Sequence, residues 1–308
     1  MWLLSSEGCE NIQYLVNYLP AYYNGHIGCM GWKGYLMYYF TGNSRIRFLF
    51  EKILQLLFPM GTYCICCGKY IDLTRTYCLC DQCMAAINWG HIFIDLDEER
   101  REAGRTKYLD SALSCMVYGL HSRRLVFDLK YNKKTFMARP ISMIMADRLS
   151  SDESLKDILS SIDIIVPVPL HRQKKKKRGF NQAELIASGL TSRLNSLKIS
   201  SKKIRLISDC LIRNRSTLAQ RSVTGEQRFA NLEGAFSFNE KYSSALSGAS
   251  VLLVDDIFTT GATADRCARI LKEHGAKAVH FISLATGNDF LKGAFRERDD
   301  EEFLADLL

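Results

Sequence analysis

Two adjacent carboxylates, Asp255 and Asp256, close a strongly apolar run in the segment SVLLVDDIFTTGAT, residues 250–263. A short loop rich in Thr and Gly follows, and then a helical pattern begins. In an open parallel sheet, ligands bind beyond the carboxyl ends of the strands. A helix N-terminus offers free backbone N–H groups and a partial positive charge, which suits phosphate. Thr259, Thr260 and Thr263 add hydroxyl donors, and Gly261 lets the backbone approach closely. The two Asp side chains repel phosphate but suit neighbouring hydroxyls, such as a ribose diol, directly or through Mg²⁺. One end of this segment therefore asks for phosphate and the other for a sugar diol. Two plainer readings compete. An Asp pair can cap a turn. A strand ending in LLVDD also opens phosphoacceptor receiver domains, but such a fold needs about 100 further residues, and 52 remain after Asp256.

A second segment, DIIVPVPLHRQKKKKRGFNQ (163–182), repeats the theme of a strand followed by charge. Six cations fall within seven residues: Arg172, Lys174, Lys175, Lys176, Lys177 and Arg178. Alone, such a run reads as a solvated loop or a polyanion patch. Leaving a strand in the same sheet as the Asp pair, it supplies the counter-charge a pyrophosphate needs, to which loop N–H groups would add. A third segment, RNRSTLAQRSVTGEQRFANLEGAF (213–236), is polar and carries Arg213, Arg215, Thr217, Gln220, Arg221, Arg228 and Asn231. It reads either as an exposed crossover or as a lid that excludes water from a reacting centre.

Six of eleven cysteines cluster between Cys64 and Cys83. Cys64-x-x-Cys67 and Cys80-x-x-Cys83 form two knuckle pairs with twelve residues between them, slightly short of the usual ribbon spacing. Four thiolates suit a closed tetrahedral Zn²⁺. Cys66 and Cys78 leave the ligand choice open, and the plain alternative is a set of free thiols. Cys115 and Cys267 read as small core residues.

The elements that must hold these groups alternate strand and helix. Ala112–Tyr118, Ile162–Val168, Ser250–Val254 and Ala278–Leu284 read as strands. His121–Tyr131, Phe180–Leu194 and Gly261–His274, stopped by Gly275, read as helices. This predicts an α/β fold, a mainly parallel sheet with helices on both faces. A charged stretch over 95–107 reads as a linker. The chain has 308 residues, 47% hydrophobic and 24% charged, with a net charge of +8. Widespread disorder is thereby excluded, and an anionic ligand is permitted. The longest uncharged stretch, 11–32, contains Pro20 and several glycines and does not read as a membrane span. The start lacks the pattern of a signal peptide, so the expected location is cytoplasmic. Residues 1–50 hold 12 of the 33 aromatics and carry no recognisable role, with a start at Met30 or Met37 as a plain alternative. Nucleophile elbows, Walker loops and HExxH helices are missing.

VLLVDDIFTTGAT (251–263) resembles the phosphoribosyl-pyrophosphate motif of type I phosphoribosyltransferases. The order of LLFPMGTYCICCG (56–68), CLCDQC (78–83), LVFDLKYN (125–132), DIIVPVPL with RGFNQAELIA (163–187), RNRSTLAQ with RFANLEGAF (213–236) and VLLVDDIFTTGAT resembles the ComF phosphoribosyltransferase-like family, of the ComFC and GntX type. The resemblance implies a type I phosphoribosyltransferase-like domain over 108–290, preceded by a small four-cysteine zinc-ribbon module over 53–92 and a linker over 93–107. Residues 1–52 and the acidic tail 291–308 flank it. It implies that Asp255 and Asp256 meet the ribose hydroxyls, and that Thr259, Thr260, Gly261, Ala262 and Thr263 hold the 5-phosphate. The loop carrying Arg172, Lys174, Arg178, Gly179, Asn181 and Gln182 would face the pyrophosphate. Zn²⁺ would sit on Cys64, Cys67, Cys80 and Cys83, and Mg²⁺ would arrive with the ligand. Lys174 stands where the family usually has Arg, which keeps the charge but not the bidentate grip on phosphate. The family's role is linked to DNA uptake in natural transformation, with an unsettled acceptor. Two function classes follow. One is a phosphoribosyltransferase. The other is a non-catalytic binding protein that serves DNA uptake through single-stranded DNA or protein partners.

Overall fold

The structure is a computed structural model and describes residues 62–72, 75–89, 93–94, 107–132, 134–215 and 232–286. Residues 1–50, the acidic tail and most of the charged linker lie outside these. So does the middle of the third polar segment, with Thr217, Gln220, Arg221, Arg228 and Asn231. The chain divides into two compact units, residues 1–80 and 81–308.

In the first unit the backbone folds tightly around Cys64. Tyr63 bridges Tyr70, and Cys64 N–H donates to Lys69 O at 2.8 Å. Gly68 N–H donates to Cys64 O at 2.9 Å, and the turn takes Gly68 into the left-handed region at φ +76°. Ile65 N–H donates to Cys78 O at 2.9 Å, which ties the second knuckle to the first.

The second unit is built on a six-stranded sheet. Its strands are β1 (Phe93–Ile94), β2 (Ser111–Val117), β3 (Ile164–Pro167), β4 (Arg205–Leu206), β7 (Ser250–Phe258) and β8 (Ala278–Thr286), in the order β1-β2-β8-β7-β3-β4. Every neighbouring pair is parallel except β1 with β2. β5 (Leu211–Arg213) and β6 (Phe236–Phe238) form a separate antiparallel pair. The helices are α1 (Asp81–Ala86), α2 (Leu120–Tyr131), α3 (Ala138–Ser150), α4 (Lys156–Ser161), α5 (Arg172–Arg178), α6 (Gln182–Leu197), α7 (Ser243–Leu246) and α8 (Ala262–Glu273).

Continuous apolar runs in the central strands reflect burial on both sides. Ile164, Val166, Val251, Leu253, Val279 and Phe281 share one core with Cys267, Ala268 and Leu271 of α8 and with Phe236 and Phe238 of β6. The alternate residues Ile165, Leu252, Val254 and Ile282 are buried as well. α6 packs on β3 and β7 and against α3, covering that other face. Helices therefore lie on both faces, as the alternation of elements predicts. α3 and α6 approach closely because Gly189 has no side chain: a Cβ there would lie 2.6 Å from Ser142 Cβ. Ser142 Oγ lies 2.5 Å from Ala138 O and 3.0 Å from Ile186 O, so its hydroxyl can donate within α3 or across that contact.

Two local expectations are corrected. The basic run is a helix, α5, not a loop. Lys, Arg and Gln are good helix formers, and the cations cluster in the last turn, where they complement the dipole. His171 Nδ1 accepts from Gln173 N–H at 3.3 Å at its start, and Gly179, at φ +91°, ends it. Secondly, β7 runs through Phe258 rather than stopping at Val254. β8 extends to Thr286 and pairs with it to the end, matching Asp255 with Ser283 and Phe258 with Thr286.

Candidate phosphoribosyl site

The extra length of β7 changes what the two carboxylates can do. Successive strand residues project to opposite faces. Val251 and Leu253 thus share the face that packs on α8, and Leu252 and Val254 the other, but at the strand end the carboxyls of Asp255 and Asp256 come into hydrogen-bonding contact with each other. Asp256 is 3% exposed, whereas Asp255 is half-buried. Asp256 N–H donates to Asp255 Oδ1 at 2.8 Å. Asp256 Oδ2 is buried and held by Lys130, whose Nζ lies 2.8 Å away in a charge-assisted pair. Burial pushes the Asp255 carboxyl up and the neighbouring Asp256 charge adds to it, while Lys130 opposes both; the net shift is upward, to about 8. For Lys130, burial alone would lower the ammonium, but the charges of Asp256 and Asp255 outweigh it and hold it above its ordinary value.

The chain leaves β7 into Thr259, which is exposed, and Thr260, which is half-buried. Gly261 then takes φ +72°, a left-handed position that turns the chain into α8. The first helical bond runs from Asp265 N–H to Gly261 O at 2.8 Å, so the N–H groups ahead of it have no intrahelical acceptor. Ala262 is buried and Thr263 half-buried. Asp265 anchors the helix by accepting from the N–H groups of Lys107, Tyr108 and Leu109 at 2.8, 2.7 and 3.3 Å. The segment thus presents hydroxyls, backbone donors and the positive end of a helix in one turn.

β3 brings the basic segment to the same sheet edge. Pro167 is registered with Val254, and Val168 N–H donates to Val254 O at 2.8 Å. From Lys175 onward the α5 backbone donors are used inside the helix, with Lys175 N–H on His171 O and Gly179 N–H on Lys175 O. From there on this segment offers side-chain charge rather than free loop N–H groups. Lys174 is held below the usual lysine value, first by burial and then by the charges of Arg213, Arg178 and Lys130. Arg213 is lowered by burial, with Cys267 and Asp255 opposing. Cations from α2, β5 and α5 therefore share one field with Asp255.

The expected site residues separate into groups. Asp255, Asp256, Thr259, Thr260, Gly261, Ala262 and Thr263 occupy one strand-loop-helix turn. Lys174 and Arg178 project from α5, and Arg178 donates to Gln182 Oε1 and lies over the Tyr131 ring, 5.6 Å from its centroid. Arg172 is exposed in the first turn of α5. Asn181 serves the fold: its Nδ2 donates to Val168 O at 3.0 Å, and its Oδ1 accepts from Ala183 N–H at 3.2 Å, capping α6. Gly179 ends α5. Lys130 joins the site from outside the residues the sequence singles out. It falls in LVFDLKYN, but a single lysine beside the apolar positions Leu125 and Leu129 carries no local mark of its strand partner.

The cysteine pairs also come together. The Sγ atoms of Cys64, Cys67, Cys80 and Cys83 lie within 4.8 Å of one another, with Cys67 and Cys80 3.6 Å apart. Of the open alternatives, this is the set formed by the two C-x-x-C pairs. For Cys64, burial would raise the thiol, but backbone donors of Cys67, Cys80 and Cys66 outweigh it and bring it down to about 7. Cys67 N–H donates to Cys64 Sγ at 3.5 Å. Four sulfur donors, one already biased toward thiolate, can hold a metal ion.

A parallel sheet with an acidic strand end, a Thr/Gly turn and a helix N-terminus is a phosphoribosyltransferase-type arrangement. Residues 176–302 match the family model of the phosphoribosyl transferase domain. Over 156 residues the chain is 29% identical to the DNA utilization protein YhgH of Escherichia coli K12, covering 50% of this chain and 63% of that protein. Over 124 residues it is 35% identical to the competence protein ComFC of Bacillus subtilis, covering 37% of this chain and 40% of that one. Over 123 residues it is 30% identical to competence protein F of Haemophilus influenzae, covering 40% and 50%. The chain thus spans less than two thirds of the length of these relatives. Together the matches support a ComF-type phosphoribosyltransferase-like protein. Among the described residues, no helix is long and apolar enough to cross a membrane.

Proposed function

We propose that this chain binds phosphoribosyl pyrophosphate at the carboxyl edge of β3 and β7 and acts, as a phosphoribosyltransferase-like protein, in DNA uptake or utilisation. One observation carries the reading. A half-buried carboxylate, Asp255, stands one short turn from a helix N-terminus with three threonines, and the cations of α5 stand across the neighbouring strand. In this reading Asp255 and Asp256 meet the ribose diol, Thr259 to Thr263 take the 5-phosphate, and Lys174 and Arg178 face the pyrophosphate. The carboxylate and threonine hydroxyls are hard oxygen donors that fit Mg²⁺ carried in with the ligand; when bound, it would neutralise charge on the leaving pyrophosphate. Loss of pyrophosphate leaves positive charge at the anomeric carbon, which a nearby carboxylate stabilises. The protein contributes mainly positioning and electrostatics.

The four-cysteine cluster takes a structural Zn²⁺ in this reading, and the location is cytoplasmic. The names of the relatives, two competence proteins and a DNA utilization protein, support a DNA-related role, and in this reading single-stranded DNA and DNA-uptake proteins are the partners. The test is calorimetry with phosphoribosyl pyrophosphate and Mg²⁺, followed by pyrophosphate release over a panel of nucleobases with and without single-stranded DNA. Release with one acceptor supports an enzyme. Saturable binding with no release under any condition leaves a binding protein. Absence of binding removes the reading.

A further inference from the structure

We infer that the exposed ring of Tyr131, paired with Phe127 and crossed by Arg178, is a stacking platform on which a base of single-stranded DNA lies beside the phosphoribosyl site. The inference rests on the reading of single-stranded DNA as a partner and names the face that meets it. It starts from α2. Leu125, Val126 and Leu129 are buried and satisfy the apolar face of that helix. Phe127 and Tyr131, one helical turn apart, lie outside that face. Their ring centroids are 4.8 Å apart, with the planes tilted by 41°. Tyr131 is still 62% exposed with that neighbour in place, so packing in the core does not account for a large ring at this position.

The surroundings of the ring select its ligand. Lys130, the preceding residue, pairs with Asp256 at 2.8 Å, so Tyr131 borders the acidic end of β7. From α5, the Arg178 guanidinium lies over the Tyr131 ring, 5.6 Å from its centroid, and is steadied by donating to Gln182 Oε1 of α6. A planar base gains from stacking on such a ring and from the cation beside it, whatever its sequence, because every base has a π-face. Charge favours a base that arrives with phosphates over a free one. Arg172, Lys174, Lys176 and Lys177 of α5 are exposed. Among the described residues, Lys175 alone of the α5 lysines has a carboxylate partner, Glu184 at 2.9 Å. Asp128, the one acid of α2, is already taken by Lys134 Nζ and Asn132 Nδ2, each at 2.6 Å. With Lys174 and Arg178 facing pyrophosphate, Arg172, Lys176 and Lys177 are left for the phosphates of a strand. An aromatic ring beside uncommitted cations is the combination that holds single-stranded nucleic acid; a free base would use the ring and leave those cations idle.

The test uses the full chain and three probes: single-stranded oligodeoxyadenylate, an abasic oligonucleotide of the same length, and free adenine in the presence of phosphoribosyl pyrophosphate. Tyr131→Ala should weaken oligodeoxyadenylate by about tenfold. It should leave the abasic strand within about twofold of wild type and the salt slope unchanged, because no phosphate contact is lost. Tyr131→Phe, which keeps the ring, should bind oligodeoxyadenylate within about twofold of wild type. The double change of Lys176 and Lys177 to Ala should instead weaken both strands alike and flatten the salt slope. Tyr131 is exposed, so its replacement spares the core; should Tyr131→Ala fail to fold, Tyr131→Leu, apolar but without a π-face, reads the same ratio. Equal losses of the two strands in Tyr131→Ala, or a loss confined to free adenine, would overturn the platform. Calorimetry with phosphoribosyl pyrophosphate on the same proteins separates the two readings. Wild type that binds phosphoribosyl pyrophosphate but neither strand removes the platform alone. Wild type that binds oligodeoxyadenylate through Tyr131 but no phosphoribosyl pyrophosphate removes the phosphoribosyl reading and leaves the platform standing.

Discussion

The cysteine knuckle and the parallel sheet each fix a few polar groups in space, by opposite means. The sheet does it with area: strands β2, β3, β7 and β8 are buried on both faces, and Asp255 takes its place from the ladder around it. The knuckle has few buried apolar side chains among its described residues, chiefly Ile71 and Leu79. It has a tight turn and four sulfur atoms instead. A site built on area tolerates the loss of one group, whereas a site built on cross-links does not.

The largest expected effect follows from that difference. Structural zinc in small modules contributes apparent free energies of about 10 kcal/mol or more. Chelation, or Cys80→Ser, should therefore melt the knuckle, seen as loss of bound Zn²⁺ and of amide protection over 62–80, while the sheet unit keeps its far-ultraviolet signal. Metal-free protein with unchanged protection would erase the contrast. In the sheet, Leu253→Ala should cost roughly 2–5 kcal/mol by chemical denaturation, a transfer and cavity penalty, because Leu253 is fully buried against α8. Gly189→Ala should cost about 1–3 kcal/mol through overpacking against Ser142.

Within the site, Thr260→Ala should remove one hydrogen bond to a charged group, about 1.5–3 kcal/mol of ribose 5-phosphate affinity. Asp255 gives a prediction with a sign. Its folded value is raised from 3.8 to about 8. The folded state then holds a proton that the unfolded chain releases, so this carboxyl contributes stability that is complete below about pH 4 and is lost as pH rises toward 8. Asp255→Asn should flatten the fall in stability across that window and leave the protein more stable at pH 8 than wild type, yet weaken phosphoribosyl pyrophosphate. Wild-type affinity should rise with pH toward 8, with proton release seen as a buffer-dependent binding enthalpy. A variant that keeps both stability profile and affinity would return the Asp pair to the role of a turn cap.

The sheet and its turn are legible in the sequence because their signals are local. β7, the Thr/Gly turn and α8 are consecutive, and each has its own pattern. α3 is harder to see despite Ile141, Ile144, Met145 and Leu149, all buried at helical spacing, because Pro140 reads as a breaker although it sits in the first turn, where no N–H is needed. α5 reads as a loop because an all-polar run has no apolar period to reveal a helix. That β7 runs on through Asp255 and Asp256 is hidden for a different reason. A strand looks finished where its apolar residues stop, but its end is set by the backbone of β8. The pairing of Lys130 with Asp256 joins residues 126 positions apart, and no pattern on either side announces the other.

The smallest expected effect distinguishes cations that belong to the site from cations that are merely near it. Lys174 and Arg178 lie one helical turn apart on α5, and the field of Arg178, Arg213 and Lys130 acts on Lys174. Lys176 and Lys177 are exposed, as Lys174 is; Lys176 lies on the far side of the helix, whereas Lys177 is the i+3 neighbour of Lys174. Burial and three positive neighbours already disfavour the Lys174 ammonium, so an anion that relieves them gains most there. Lys174→Ala should therefore weaken pyrophosphate more than the double change of Lys176 and Lys177 to Ala. The double change should cost no more than about twofold near physiological salt, because exposed charges are screened beyond about 8 Å. Where the helix neutralises DNA phosphates, it should also flatten the salt dependence of single-stranded DNA binding, by roughly 0.7 slope unit per phosphate released. Calorimetry with pyrophosphate at two salt concentrations, beside a DNA titration over the same range, reads both. Equal pyrophosphate losses for Lys174 and the outer pair would mean that α5 acts as a diffuse basic patch rather than through a defined face.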